Sequence, residues 1–175
     1  MAVEGKSLAF VHIDTSFLAY GKDGEAGNKH MEFYFRDYRW TEEYVLGEIE
    51  ELLEDNQDAT FKIAVGHHPI GHLCGGSKSL SKVEPLLQKY GFQAYFCGHA
   101  HALGYSVNNG ISYYLSGAGG NEENVSADHE WARKSVYGFL KCRLTGGKLE
   151  ATYYYTRDKR TWQTWDAPVF DFLKG

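Results

Sequence analysis

Ala94-Tyr95-Phe96-Cys97-Gly98-His99-Ala100-His101 is a short apolar run that empties into a glycine and two histidines, and earlier in the chain Phe61-Lys62-Ile63-Ala64-Val65-Gly66-His67-His68-Pro69 does the same. Each run is rich in strand formers and is closed by residues that halt extension, which predicts a buried strand delivering its histidines to a loop. Between the two, Ser81 and Glu84 stand at capping-box spacing, Val83, Leu86, Leu87 and Tyr90 share one helical face, and Gly91 falls where a C-terminal cap belongs. Upstream, residues 8–13 form another apolar run, stopped at Asp14-Thr15. Thr41 can cap a helix through Glu54, since Val45, Ile49, Leu52 and Leu53 follow helical spacing and acidic residues fill the other face. Strand, helix, strand, helix, strand is the alternation of an α/β layered sheet.

Beyond residue 101 the pattern changes to hairpins. Residues 103–107 and 111–115 flank Asn108-Asn109-Gly110, and residues 137–144 and 148–156 flank Thr145-Gly146-Gly147, both strong signals for tight turns between antiparallel strands. Two stretches carry no clean period. Residues 16–40 read as a long surface excursion packed through its aromatics, and residues 117–134 as a glycine-rich covering loop. The expected fold is therefore mixed α/β (α+β): a mixed sheet with two helices and terminal antiparallel hairpins, in a single domain spanning residues 1–175.

Composition narrows the function classes. The chain has 175 residues, 43% hydrophobic and 15% aromatic, enough to bury one core. A net charge of -5 speaks against a nucleic-acid binder, which usually shows a basic face. No stretch approaches the roughly 18 to 20 apolar residues of a membrane span, and the N-terminus lacks a signal-peptide profile, so a soluble chain is expected, its compartment open. Cys74, Cys97 and Cys142 are too scattered for a disulfide framework or a metal knuckle. Asn124-Val125-Ser126 fits a glycosylation acceptor.

Loops at the C-terminal ends of neighbouring strands are where open α/β sheets place their ligand sites, so His67, His99 and His101 can converge. Neutral imidazoles there suit Zn, Fe or Mn, and metals so held support hydrolysis by acidifying a water and clamping the oxygens of an in-line displacement. A lone Gly-His-x-His is weak support; two such strand ends in one sheet carry the reading. His12 and Asp14 read as core filling and strand termination, His30 and His129 as exposed loop residues, and Cys97 as a small buried apolar residue.

From residue 8 to about 155 the sequence resembles the C-terminal half of the small, tartrate-resistant type of purple acid phosphatase, within the calcineurin-like metallophosphoesterases. The resemblance rests on Val11-His12-Ile13-Asp14-Thr15, Gly66-His67-His68-Pro69, Pro85-Leu86-Leu87 with Tyr90-Gly91, residues 94–101, and Leu115-Ser116-Gly117-Ala118-Gly119, in that order. It implies His67 and His99 as ligands of one metal and His101 as a ligand of the other. The family's valine three residues before the ligand would literally select His68, because Val65 follows Ala64; the family's proline two residues after it selects His67, through Pro69. His72 falls where the family has a histidine that contacts phosphate and protonates the leaving alkoxide.

The resemblance also implies what is missing. Two aspartates, one bridging the metals, a tyrosinate and an asparagine come in the family from Gly-Asp and Gly-Asn-His motifs that precede the matched region, and no Gly-Asp dipeptide occurs here. Gly27-Asn28-Lys29-His30 lies on the wrong side of the order to replace them. The family fold is an αββα sandwich in which each half of the chain gives mainly one sheet, so a lone half leaves an apolar sheet face for a protein partner or self-association to cover. The implied function is hydrolysis of phosphate monoesters by metal-activated water, with this chain supplying the histidine half of a dinuclear site. Two alternatives stand beside it: a catalytically inactive phosphatase-like scaffold, and a single-metal hydrolase built on three histidines.

Overall fold

In the computed structural model of the chain, residues 2–3, 5–20, 40–71, 78–120 and 130–174 are described. His30, His72, Cys74, His129 and the Asn124 tripeptide lie outside them. A seven-stranded mixed sheet has the order β1-β2-β3-β4-β6-β5-β7, from Ala2–Val3, Lys6–His12, Phe61–Val65, Ala94–Cys97, Leu103–Asn108 (β5), Ile111–Ser116 (β6) and Trp131–Arg133 (β7). Strands β2, β3, β4 and β6 run parallel. The crossovers between β2 and β4 carry the helices α1 (Ser16–Tyr20), α2 (Glu42–Glu54) and α3 (Val83–Lys89). A second sheet is built around β9 (Lys148–Thr156), paired with β8 (Tyr137–Thr145), β10 (Gln163–Asp166) and β11 (Phe170–Asp171).

The first sheet is apolar on both faces, as its near-continuous hydrophobic strands require. On one face Ala9, Val11, Ala64, Tyr95 and Tyr113 pack with Val45, Ile49 and Leu53 of α2 and Val83 and Leu87 of α3. On the other, Leu8, Phe61, Ile63, Leu103 and Tyr114 meet Leu149, Ala151, Tyr153 and Tyr155 of the second sheet. The chain thus gives strands to both sheets, and much of the face expected to await a partner is covered by its own β8 to β11. What stays open is the β2 end, where Phe10 is 47% exposed two residues along from buried Leu8. No described helix is long and apolar enough to cross a membrane.

Local expectations meet the structure unevenly. Thr41 caps α2, its Oγ1 accepting the Tyr44 N–H at 3.1 Å; Thr41→Ala is expected to cost about 1 kcal/mol, read as a lowered Tm in a thermal melt. Both hairpins form two-residue turns with positive φ at both central positions, Asn109-Gly110 and Gly146-Gly147, which suits the twist of the flanking strands. The capping box at Ser81 does not form. A 3₁₀ turn at Leu80–Lys82 leads into α3 without a side-chain cap, Ser81 Oγ donates to the Lys78 carbonyl, and Glu84 accepts from Asn108 Nδ2 at 2.6 Å. His12 is exposed on β2 instead of filling the core, because it shares the open face with Phe10. Two short elements appear inside the stretches read as loops, α1 and β7.

Candidate metal centre

Val65 pairs with Phe96 in the parallel register of β3 and β4, which brings the two histidine-bearing strand ends side by side. The alignment continues past the strands: Gly66 N–H bonds the Phe96 carbonyl and Gly98 N–H the His67 carbonyl, each at 3.0 Å. His67 Nε2 and His99 Nδ1 lie 3.1 Å apart in consequence. The 98–102 segment then makes two consecutive three-residue turns. Ala100 N–H bonds the Gly98 carbonyl and Ala102 N–H the Ala100 carbonyl, both at 2.7 Å, with His99 and His101 at their centres. His99 has φ 60, the left-handed region that a non-glycine residue enters at a cost. His101 lines the same open concavity with His67, His99, Ser116, Gly117 and Gly119.

The structure adds a histidine that the sequence reading passed over in favour of its neighbour. His68 is buried, 3% exposed, and its ring centroid lies 4.7 Å from that of His67 and 4.4 Å from that of His99. His67, His68 and His99 each offer a ring nitrogen, all within 4.8 Å of one another. Thr15, at the start of α1, fixes this residue: its Oγ1 accepts the His68 backbone N–H at 3.1 Å and lies 2.8 Å from Nδ1. Tyr95 Oη donates to the His68 carbonyl at 2.7 Å. A Cβ at Gly66 would run into that hydroxyl and come within 3.0 Å of Thr15 Cγ2, so glycine is what lets tyrosine and threonine close around the loop. Burial, then the neighbouring His99 and His67, pull the His68 imidazole down to about 4, with Asp14 opposing; the ring is neutral at ordinary pH, the form in which imidazole ligates metal.

The residues present fit a divalent metal. Three imidazoles converge, and the Nε2 of the buried one has no hydrogen-bond partner among the described residues. This donor set suits zinc, iron or another imidazole-preferring ion over magnesium or calcium. His67 and His99 come together as expected. His101 shares the concavity but is not one of the three grouped nitrogens. Cys97 is buried, and burial pushes its thiol up, as an inert packing residue requires.

The family model "Calcineurin-like phosphoesterase" matches residues 4–103, and the chain belongs to that family. Tartrate-resistant acid phosphatase type 5 of Oryctolagus cuniculus is 32% identical over 120 residues, 59% of this chain and 37% of its own length. Among solved structures, GAP50, described as the anchor in the inner membrane complex of Plasmodium, superposes with a TM-score of 0.66 at 19% identity, over 97% of this chain and 52% of its own. Purple acid phosphatase PPD1 from yellow lupin (Lupinus luteus) seeds gives a TM-score of 0.52 at 18% identity, over 74% and 29%. The chain spans well under half the length of the curated relatives it matches.

Proposed function

We propose that this chain, one domain over residues 1–175, supplies the histidine half of a phosphomonoesterase centre whose carboxylates come from polypeptide outside these residues. The observation that carries the reading is the 3.1 Å approach of His67 Nε2 to His99 Nδ1 at two adjacent strand ends, with His101 facing the same concavity. His67 and His99 would hold one metal and His101 the other, Fe, Zn or Mn being the ions such ligands take. A bound metal supplies an acidified water and positive charge against the phosphoryl oxygens. The chain's part is to aim the imidazoles through the paired turns and to leave the concavity open to a phosphate monoester. His72 is proposed to meet the phosphate and hand a proton to the leaving oxygen.

Coding sequence adjoining the 5′ side should then encode Gly-Asp and Gly-Asn-His motifs. The longer polypeptide should hydrolyse an aryl phosphate, His67→Ala should lower that rate by about 100-fold or more, and the 175 residues alone should stay near background. Hydrolysis untouched by His67→Ala, or a longer polypeptide without activity, sinks the proposal. It would leave a non-catalytic scaffold, the reading favoured by one observation: the metal-competent group among the described residues is all histidine and holds no bridging carboxylate.

A further inference from the structure

We infer that His67, His68 and His99 form a single-ion zinc site that this chain holds by itself, with His101 outside it. The inference rests on the histidine-centre reading above and departs from it in one respect: the third ligand is the neighbour of His67, not the second histidine of the His99-Ala100-His101 turn.

Three observations carry it. First, His68 is 3% exposed and its Nε2 is unpartnered among the described residues, whereas a buried imidazole that only packs would be expected to satisfy both nitrogens. Second, the rest of the residue is held: backbone N–H and Nδ1 on Thr15 Oγ1, carbonyl under Tyr95 Oη. Where Nδ1–H donates to the threonine oxygen, the tautomer a metal ligand requires, Nε2 keeps its lone pair and an outer hydrogen bond holds the ring for ligation. Third, the open nitrogen belongs to a ring packed against the rings of both His67 and His99. The 3.1 Å between His67 Nε2 and His99 Nδ1 is close to the edge of about 3.3 Å expected of a tetrahedron with bonds of about 2.0 Å. The spread of all three donors, up to 4.8 Å, must contract on loading. Three imidazoles and a vacant fourth position are the donor set of an open zinc site, and no second charge is needed for it to bind.

Zinc titration of the chelator-stripped chain, followed by calorimetry and by cobalt(II) substitution, tests this. One ion per chain is expected, with visible cobalt bands of four-coordinate geometry. His68→Ala should weaken zinc binding by about 100-fold, and Thr15→Val, which keeps every imidazole and the shape of the side chain, by about 10-fold. His101→Ala should leave it within a few-fold. Should His68→Ala fail to fold, the Thr15→Val and His101→Ala pair decides. Binding lost in His101→Ala and kept in Thr15→Val overturns the inference, as does a chain that takes up no zinc. Zinc bound through His68 with no phosphate hydrolysis by the longer polypeptide would instead sink the phosphomonoesterase reading and leave this site standing.

Discussion

Tyr153→Ala should cost about 3 to 5 kcal/mol, much of the total stability of an ordinary domain of about 5 to 15 kcal/mol, and lower the Tm by about 10 °C or more. Tyr153 lies on β9, fully buried between the sheets, its ring 4.8 Å from Trp131 of β7 and 5.9 Å from Trp165 of β10. Its hydroxyl donates to the Gly104 carbonyl of β5, so a single side chain both fills the gap between the sheets and bonds across it. Burial holds its phenol well above the usual range, which keeps the proton on the oxygen and the bond intact at any ordinary pH. Tyr153→Phe separates the two contributions, since it keeps the ring and should cost only about 1 kcal/mol. A urea titration in which the alanine variant loses less than about 1 kcal/mol would mean that the second sheet is not packed as described.

Gly117→Ala should damage the proposed metal centre from behind. A Cβ there would collide with the Ala100 carbonyl oxygen and lie 2.8 Å from the carbonyl carbon. Both atoms are backbone, part of the paired turns that set His99 and His101, so no side chain can swing aside to make room. Overpacking of this kind costs about 1 to 3 kcal/mol, and relief requires the 98–102 segment to move off its histidine positions. Zinc affinity should fall by more than about 10-fold alongside the loss of stability. Gly119→Ala is the matched control: a Cβ there meets nothing within 4 Å, and affinity should hold. Unchanged zinc binding in Gly117→Ala would show that the turns do not place the ligands.

How far the sequence disclosed this molecule depended on whether the deciding interaction was local. The strand ends at Val65 and Cys97, the cap at Thr41 and the hairpin turns around Asn108-Asn109-Gly110 and Thr145-Gly146-Gly147 were readable, because each is set by residues within a few positions. Strand β10 was not. Its Gln163-Thr164-Trp165-Asp166 is largely exposed; it pairs with the preceding strand β9, and Trp165 stacks at 4.2 Å on Trp131 of β7, a partner distant in the chain. Glu84 misled for the same reason: a residue spaced to reach back to Ser81 instead accepts from Asn108 of β5. At the site, Pro69 selected His67, whose Nε2 lies 3.1 Å from His99 Nδ1, while His68 lies in the same group. Nothing local separates His67 from His68 in burial. Thr15, far back in the chain, makes the difference, and the only trace of it in the sequence was the strand end at Asp14-Thr15.

The positive φ of His99 has a consequence for how such a chain changes over generations. An L-residue held there costs on the order of 1 kcal/mol, and glycine, free of that penalty, would make the turn more comfortable. Drift without use would therefore pull position 99 toward glycine or asparagine before it touched the apolar strands. Under the proposed metal site, the imidazole at position 99 would be held against that pull by what its side chain binds.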